Sequence, residues 1–454
     1  MSDRDTILAY ADRQYPLYRQ IALDIHAHPE TSNHEVYACS LLSEQLRKEG
    51  FDVTVDVAGH PTGFSAVYKA EKPGPVLAFL AEYDALAGLG HGCGHNLFGA
   101  TSALAGASLK QVIDAVGGEI RVYGTPGEEG GENGSAKGSF VREGFFRDVD
   151  AALCVHPGSD RHILTHAEIA CAPIRAEFKG RASHAAANPQ EGINALDAMI
   201  LTFNAIGLLR QQLPQDVKIH GIITRGGDAP NIIPDDTEAR FYIRAATVGR
   251  MMDVYHRMER IVEGAALQTG CTGLLEPTQR NLVENIIPTS SFDAVYRRVL
   301  ESLGETVSPD DNRSLGSSDV GNVSQVIPVI QPMIAISDTP VAGHSIEKVA
   351  ACCAERGLQS IALGANVTDG AFGENLLVDG IDCRTLPVGT RLQCGNVLLE
   401  VTQIGKECHN GCAIFKRVGT CIMPHEGIFA RVLRGGEIRE GDIISTVEEE
   451  ARIG

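Results

Sequence analysis

The sequence predicts an α/β protein with a mixed sheet, an inserted α+β domain and a β-rich C-terminal part. Short apolar runs typical of strands end in polar residues within the first part of the chain. A pattern of alternating strands and helices follows, and glycines recur at short intervals after about residue 366. We therefore predict three parts: residues 1–167 with 283–365, the insertion 168–282, and the tail 366–454.

The composition is that of a globular protein. Of the 454 residues, 43% are hydrophobic and 21% are charged, which argues against disorder. A net charge of −19 disfavours nucleic-acid or anionic-membrane partners, because both require clustered Lys and Arg. The N-terminus has no apolar signal core, and the longest apolar tract, 326–336, is too short and interrupted to span a bilayer. Twelve irregularly spaced cysteines favour a reducing compartment, so we expect a cytoplasmic protein.

Groups of metal-ligand type follow three predicted strands in the first part, at residues 76–80, 119–123 and 151–155. In an open α/β sheet, ligands bind outside the carboxyl ends of parallel strands, so groups that follow such strands converge at one edge. Thiolate, imidazole and carboxylate groups suit a borderline-soft metal such as zinc. The alternative is that these groups do not form a site, and it requires a separate structural explanation for each of them. The groups are Asp84, His91-Gly-Cys93-Gly-His95, Glu128-Glu129 and His156.

The insertion has the pattern of a small α+β domain. An alternating strand at 172–178 precedes a helical stretch at 193–213, two hairpin-like strands and a second helix. The tail differs, because its regularly spaced Gly and Pro residues indicate a small all-β unit. The remaining predicted elements of the insertion are strands at 218–224 and 238–244, a helix at 251–266 and a final short strand.

Several motifs in order resemble the aminoacylase and glutamate-carboxypeptidase family of dinuclear metallohydrolases, over about residues 1–365. Within that family the chain is most similar to p-aminobenzoyl-glutamate hydrolase subunits and related dipeptidases, through residues 230–234 and 316–322. The motifs shared with the whole family lie at residues 25–30, 82–86, 91–96, 126–131, 180–186 and 343–345.

The resemblance implies a centre of two divalent metal ions, with zinc or manganese expected. Glu128 is then the general base, since one of two adjacent glutamates binds a metal while its neighbour takes a proton from water. The roles of Glu128 and Glu129 are also open to reversal. Asp84 is either a carboxylate that orients a ligand or the cap of a following helix. The implied metal ligands are Cys93, His95, Glu129, His156 and His344.

The resemblance gives the insertion two roles, as a lid and as the contact of a homodimer. His184 matches the histidine that stabilises the family's transition state, and it is expected to reach a neighbouring subunit's site. Asn231 and Arg244 match the pair that holds the free carboxylate of the substrate, for which a guanidinium is well suited. Without the resemblance, His184 is a turn residue and Arg244 a solvated strand end.

Tail motifs at 369–376, 386–389, 401–408 and 421–431 are similar to the MOSC domain, the β-barrel of molybdenum-cofactor sulfurases. The resemblance implies binding of molybdenum cofactor, with the associated molybdenum-ion and pyridoxal phosphate binding, or sulfur transport on Cys408 or Cys412. Only about 89 residues are present, and the barrel's earlier strands have no counterpart. Because a partial barrel leaves strand edges unpaired, a structural tail is the alternative.

Taken with the resemblance, the sequence predicts hydrolysis of an amide bond next to a free carboxylate. The substrate class is a small dipeptide or N-acyl amino acid, similar to p-aminobenzoyl-glutamate. Two other functions remain open: a molybdenum-cofactor or sulfur carrier that acts through the tail, and a non-catalytic dimeric scaffold. The complete ligand set disfavours the scaffold, and the missing barrel strands disfavour the carrier.

Overall fold

The computed structural model describes residues 2–309, 316–365, 386–404, 428–436, 438 and 442–447. The chain divides into two compact units, Met1–Thr368 and Asp369–Gly454. Among the described helices, none combines the length and apolar character needed to cross a membrane.

Three long helices flank the main sheet of the larger unit. The first, α1, begins with a capping box in which Ser2 Oγ accepts from Asp5 N at 3.1 Å and Asp5 Oδ2 accepts from Ser2 N at 3.0 Å. The third, α3, is rich in Ala and Gly and is buried over most of its length, where it packs against α1. These helices are α1 (Asp3–Ala27), α2 (Val36–Lys48) and α3 (His95–Val116).

The main sheet is mixed and has six strands, in the order β1-β2-β4-β3-β5-β11. Strands β3, β4, β5 and β11 are parallel, whereas β1 and β2 are antiparallel to their neighbours. The predicted mixed α/β fold is confirmed, and the carboxyl ends of β3, β4 and β5 meet at one edge. The strands are β1 (Asp52–Val57), β2 (His60–Lys69), β3 (Val76–Ala81), β4 (Glu119–Gly124), β5 (Ala151–Leu153) and β11 (Val329–Ile330).

The strand predicted at 151–155 is shorter in the structure. It ends at Leu153, and His156 lies in a separate two-residue strand, β6 (His156–Pro157), which pairs with β12 (Met333–Ile334). His156 N donates to Pro332 O at 2.9 Å, so the backbone of this residue is fixed by pairing rather than free at a strand end.

The insertion forms a four-stranded antiparallel sheet in the order β10-β7-β9-β8, with two helices packed on it. Strand, helix, two strands, helix and strand follow in the predicted order. The first helix starts later than predicted because Asn194 Oδ1 caps it by accepting from Leu196 N at 2.9 Å. The elements are β7 (Ala170–Lys179), α5 (Ala195–Leu209), β8 (Lys218–Arg225), β9 (Asp236–Ala245), α6 (Val248–Thr269) and β10 (Thr272–Pro277).

The remaining helices of the larger unit are short, apart from α7. The last two helices, α9 and α10, are separated by a tight turn. The backbone of Gly357 approaches Ala351 so closely that a Cβ at Gly357 would lie 2.1 Å from the Ala351 carbonyl oxygen, and this approach requires a turn. The helices are α4 (Ala136–Arg142), α7 (Ser290–Ser302), α8 (Val320–Ser324), α9 (Ile346–Ala351) and α10 (Glu355–Gly364).

The described part of the second unit is an antiparallel sheet in the order β15-β14-β13-β16. Its small core contains Leu392, Val397, Leu399 and Val401. The described strands do not close into a barrel, in agreement with the predicted partial barrel, and Cys408 and Cys412 lie outside the described residues. The strands are β13 (Arg391–Cys394), β14 (Val397–Ile404), β15 (Ile428–Arg434) and β16 (Ile444–Val447).

Candidate metal centre and active site

A glycine turn brings Cys93 and His95 to the carboxyl edge of the main sheet. Gly94 has φ 92°, a left-handed conformation that favours glycine, and it precedes the first residue of α3. A Cβ at Gly94 would lie 2.7 Å from the Cβ of Pro157, so no larger residue fits without displacement. The turn therefore places the thiol and the imidazole beside β6.

Asp84 fixes the orientation of His95. The Oδ1 of Asp84 lies 2.8 Å from His95 Nδ1, and its Oδ2 accepts from Ser32 Oγ at 2.7 Å and from Glu129 N at 3.0 Å. Burial alone would raise the pKa of Asp84, but the adjacent His95 and these hydrogen bonds outweigh it and lower the pKa to about 2. With Nδ1 occupied, Nε2 is the nitrogen left for a metal. Asp84 therefore lies where a ligand-orienting carboxylate is expected, and α3 begins too far along the chain to be capped by it.

The two adjacent glutamates after β4 face different histidines. Glu129 Oε1 lies 3.5 Å from His344 Nε2, whereas Glu128 Oε2 lies 3.9 Å from His95 Nε2. Burial, followed by the neighbouring Glu82 and Glu129 carboxylates, raises the pKa of Glu128 well above its usual range. The turn thus directs the two carboxylates toward different histidines.

His156 and His344 approach from the far side of the cluster. His156 Nδ1 donates to Pro157 O at 2.9 Å, which leaves Nε2 as an acceptor, 3.5 Å from the Cys93 thiol sulfur. Burial, with a contribution from Lys348, lowers the pKa of His156 well below its usual range and favours the neutral, metal-binding form. His344 has φ 56°, an unusual conformation for a residue other than glycine and one often found at functional sites.

The five predicted ligands form two overlapping groups, Cys93 with His95 and His156, and Cys93 with Glu129 and His344. Within each group the ligand atoms lie within 4.8 Å of one another. His95 Nε2 and Glu129 Oε1 are buried and have no hydrogen-bond partner among the described residues. Sulfur, nitrogen and oxygen donors with such unpartnered atoms fit divalent metal ions such as zinc or manganese. Burial raises the pKa of the Cys93 thiol to about 12, so deprotonation of this thiol would require a bound cation.

A cleft of about 540 Å³ lies beside this cluster and suits a small molecule. Glu129 and His344 form part of its wall, so a ligand in the cleft would reach the metal centre directly. The remaining lining residues are Thr31, Ser32, His34, Ala85, Leu86, Ala87, Leu89, Gly131 and Glu132.

The predicted site residues of the insertion are placed differently. His184 is exposed, and its Nδ1 accepts from the backbone N–H groups of Ala186 and Ala187 at 3.2 and 3.1 Å, so its proton resides on Nε2. Asn231 lies beside this turn, with its carbonyl oxygen accepting from Ala185 N at 3.0 Å. Arg244 lies at the other end of β9, where it donates to Ser317 Oγ at 3.0 Å.

The structure therefore does not bring Asn231 and Arg244 together within one protomer. Asn231 precedes β9, whereas Arg244 lies near its end. In the antiparallel register of β7 and β9, Asp236 at the start of β9 lies opposite Lys179, and Arg244 lies opposite Cys171. Since a strand rises about 3.3 Å per residue, the two ends are separated by roughly 26 Å.

Sequence reasoning did not identify Glu82 as a site residue. Its carboxylate lies 3.1 Å from His95 Nε2, and it forms a buried ion cluster with Lys137 and Asp319. The available signal was spacing: Glu82 and Asp84 are two residues apart in extended chain after β3, which places them on the same side. No comparable signal marks Lys137 or Asp319.

Two domain models match the sequence: the peptidase dimerisation domain over residues 171–270 and the MOSC domain over residues 335–445. The MOSC match begins 31 residues before the predicted start of the tail at 366 and includes His344.

Similar curated proteins include two dipeptidases and one component of a hydrolase. The human Xaa-Arg dipeptidase is 33% identical over 69% of this chain and 75% of its own length. The mouse Xaa-Arg dipeptidase is 37% identical over 61% of this chain and 66% of its own length. A p-aminobenzoyl-glutamate hydrolase subunit from Escherichia coli K12 is 39% identical over 58% and 57%, respectively. The chain thus spans between about half and three quarters of the length of these relatives.

Solved structures share the fold at low identity. The aminobenzoyl-glutamate utilization protein of Klebsiella pneumoniae has a TM-score of 0.61 at 19% identity, over 78% of this chain and 97% of its own. A Bacillus subtilis dinuclear metal-binding peptidase from the M20 family has a TM-score of 0.53 at 18% identity, over 78% and 98%. With the human dipeptidase matched over three quarters of its length, these likenesses confirm the resemblance seen in the motifs, and the chain belongs to the M20 peptidase family.

Proposed function

We propose that this protein is a dinuclear metal-dependent hydrolase that cleaves an amide bond next to a free carboxylate. The observation that carries the proposal is the pair of overlapping ligand groups around Cys93, with Glu128 beside them and a cleft leading to them. Dipeptides and N-acyl amino acids are the proposed substrates. The names of the relatives, Xaa-Arg dipeptidase and p-aminobenzoyl-glutamate hydrolase, give the first compounds to test.

Each group of the site has a proposed task. Two divalent ions held by the five ligands would supply acidification of a water and polarisation of the scissile carbonyl. Glu128 would take the proton of the attacking water and pass it to the leaving amine. It borders the cluster, with Oε2 at 3.9 Å from His95 Nε2, and it does not face His344 as Glu129 does. Glu129 would serve as a ligand, since its Oε1 faces His344. Asp84 would keep His95 in the tautomer that leaves Nε2 free.

The insertion would complete the site from a second subunit. His184 presents an Nε2–H donor on an exposed turn, which suits it to stabilise a developing negative oxygen. Strand β8 lies at the edge of the inserted sheet, and Ile222 and Ile223 on it are exposed at 67% and 43%. We propose that this edge forms a homodimer and that His184 and Asn231 then act at the neighbouring subunit's metal centre.

Arg244 is the proposed carboxylate anchor. Its guanidinium contacts the Ser317 hydroxyl and lies over the Tyr242 ring at 5.5 Å, and no carboxylate pairs with it within the described part of the chain. An unpaired guanidinium is suited to bind the free carboxylate of a substrate.

A substrate screen tests the proposed activity. Metal content per chain would be measured first, followed by hydrolysis of Xaa-Arg dipeptides, p-aminobenzoyl-glutamate and other N-acyl amino acids. We expect two divalent ions per chain and turnover of at least one of these classes that ceases in the Glu128→Gln protein. Full metal occupancy without turnover of any of them would contradict the proposed reaction.

The MOSC match supports a second candidate function, binding of molybdenum cofactor or a persulfide on Cys408 or Cys412. A structural tail is the alternative that the sequence leaves open. Mass spectrometry of the full-length protein decides between them: a persulfide that disappears in the Cys412→Ser variant would establish the sulfur carrier. A cytoplasmic location remains a proposal drawn from cysteine usage.

A further inference from the structure

A buried ion cluster lies next to the metal centre and is not used by the proposed reaction. Lys137 Nζ lies 2.6 Å from Glu82 Oε1 and 2.6 Å from Asp319 Oδ1, and all three side chains are 0% exposed. The three residues come from separate places in the chain: the end of β3, the start of α4 and the start of α8. Because the desolvation of three charges is costly, such a cluster adds little stability, and a purpose other than packing would account for it.

The surroundings of the second carboxylate oxygen of Glu82 indicate what that purpose is. Glu82 Oε2 lies 3.1 Å from His95 Nε2, yet neither atom makes a hydrogen bond with any described residue, because the two are not aligned as donor and acceptor. Both atoms are fully buried. A buried polar atom without a partner is destabilising, so a group that satisfies both atoms is expected.

A metal ion between the two atoms satisfies both. Two ligands at about 2.1 Å from one ion, at an angle of 90–110°, lie about 3.0–3.4 Å apart, and the observed separation of 3.1 Å falls in this interval. Glu82, His95 and Glu128 also present ligand atoms that lie within 4.8 Å of one another. Two further carboxylates face the same imidazole: Asp84 Oδ1 lies 2.8 Å from His95 Nδ1, and Glu128 Oε2 lies 3.9 Å from His95 Nε2.

We propose that Glu82 is a sixth protein ligand of the metal centre and binds the ion held by His95. Lys137 and Asp319 are then positioning residues. Lys137 holds Glu82 Oε1 and is itself held by Asp319, so that Oε2 faces the ion. The inference rests on the proposed metal-dependent function, because it adds a ligand to that centre.

Two matched variants test the assignment. Glu82→Gln and Asp319→Asn each remove one carboxylate charge from the same buried cluster, but only Glu82 faces His95. Metal-free protein of each variant and of the wild type would be titrated with Mn²⁺ and with Co²⁺. The readouts are the number of ions bound per chain, their affinities and the visible spectrum of the Co²⁺ form, which reports the ligand set.

We expect Glu82→Gln to lower the affinity for one of the two ions by more than about 100-fold and to change the visible spectrum of the Co²⁺ form, because the ion loses a ligand. Asp319→Asn should keep two ions, with affinities reduced by less than about 100-fold and an unchanged spectrum, because it acts only through Lys137. Equal losses in both variants would show that Glu82 acts only through the ion cluster and would overturn the assignment. Wild-type affinities in Glu82→Gln would also overturn it.

A double variant covers the case in which Glu82→Gln fails to fold. Glu82→Gln with Lys137→Met removes the carboxylate and the ammonium together and leaves Asp319 to its hydrogen bond with the Lys137 backbone. If this protein folds and binds one of the two ions more than about 100-fold more weakly than the wild type, Glu82 is a ligand; wild-type affinity for both ions would overturn the assignment. A wild-type protein that binds no metal would instead contradict the proposed function itself.

Discussion

The carboxyl edge of the main sheet and the inserted sheet hold two different kinds of site. At the main sheet, Cys93, His95 and Glu129 lie among partners from the same chain, and Asp84 contacts two of the site's elements. In the insertion, His184 is exposed, and Arg244 lies at the opposite end of a strand. Under the proposed function, metal binding would depend on residues of one chain, whereas the groups proposed to handle the substrate would depend on a second chain.

The largest expected effect concerns the candidate metal centre at the main sheet. Replacing Cys93 or His95 with Ala should remove metal and lower turnover by at least about three orders of magnitude, because both residues belong to more than one ligand group. Metal analysis and steady-state kinetics measure the two losses. Cys39→Ala is the matched control, since Cys39 is a buried cysteine on α2 outside the ligand groups. Full metal content in Cys93→Ala would remove this residue from the centre.

Variants of the two glutamates distinguish loss of turnover from loss of metal at the same centre. Glu128→Gln should keep both ions and lose turnover by about two to four orders of magnitude, because an amide cannot act as a base. Glu129→Gln should lose metal, because its Oε1 faces His344. The same metal and kinetic measurements distinguish them. Exchanged phenotypes would exchange the two roles, the alternative that the sequence leaves open.

A mixing experiment tests whether the insertion acts across a dimer. His184→Ala and Glu128→Gln proteins should each be nearly inactive, but a mixed dimer would hold one intact site if His184 acts on the neighbouring subunit. Unfolding and refolding an equal mixture should then recover about a quarter of wild-type activity, given random pairing. No recovery, with mixed dimers demonstrated by native mass spectrometry, would mean that each chain uses its own His184.

The sequence predicted the parts of the site that lie in short motifs. Cys93 and His95 are separated by a single glycine, and the Glu128-Glu129 pair follows strand β4 after three residues, so local spacing was informative. The contact of Lys137 with Asp319 joins residues 182 positions apart, and no local pattern reports such a pair. The sequence also did not show how far apart Asn231 and Arg244 lie within one chain, because the thirteen positions that separate them include most of the extended strand β9.

Arg244 provides a smaller effect that belongs to substrate choice. Wild-type enzyme should discriminate a free carboxylate from its amide by about 1.5–3 kcal/mol in kcat/KM, and Arg244→Ala should lose that preference. Arg240→Ala is the control, since Arg240 lies on the same strand, four residues earlier, and is exposed. Unchanged discrimination in Arg244→Ala would assign carboxylate binding to another group.

The smallest effect concerns the folding stability of the unit that carries the candidate metal centre, not its chemistry. His60 is 1% exposed, lies 2.9 Å from Ser139 Oγ and accepts from Asn133 Nδ2 at 3.3 Å, near the loop that carries the two glutamates. Burial, followed by the charges of Arg280 and Arg142, lowers the pKa of His60 to about 4. Because the unfolded state has the higher pKa, it binds more protons between about pH 6.5 and 4, so stability is lost as the pH falls through this window.

Metal-free wild type should therefore lose about 1–3 kcal/mol more stability between pH 7 and 4.5 than His60→Gln, as measured by urea unfolding. His256→Gln serves as the control, because His256 is an exposed residue of α6 in the insertion. If His60→Gln and wild type show the same pH dependence, His60 is not held neutral in the folded protein. The loop after β4 would then be stabilised by its remaining contacts, of which the hydrogen bond from Gly127 N to Glu35 is one.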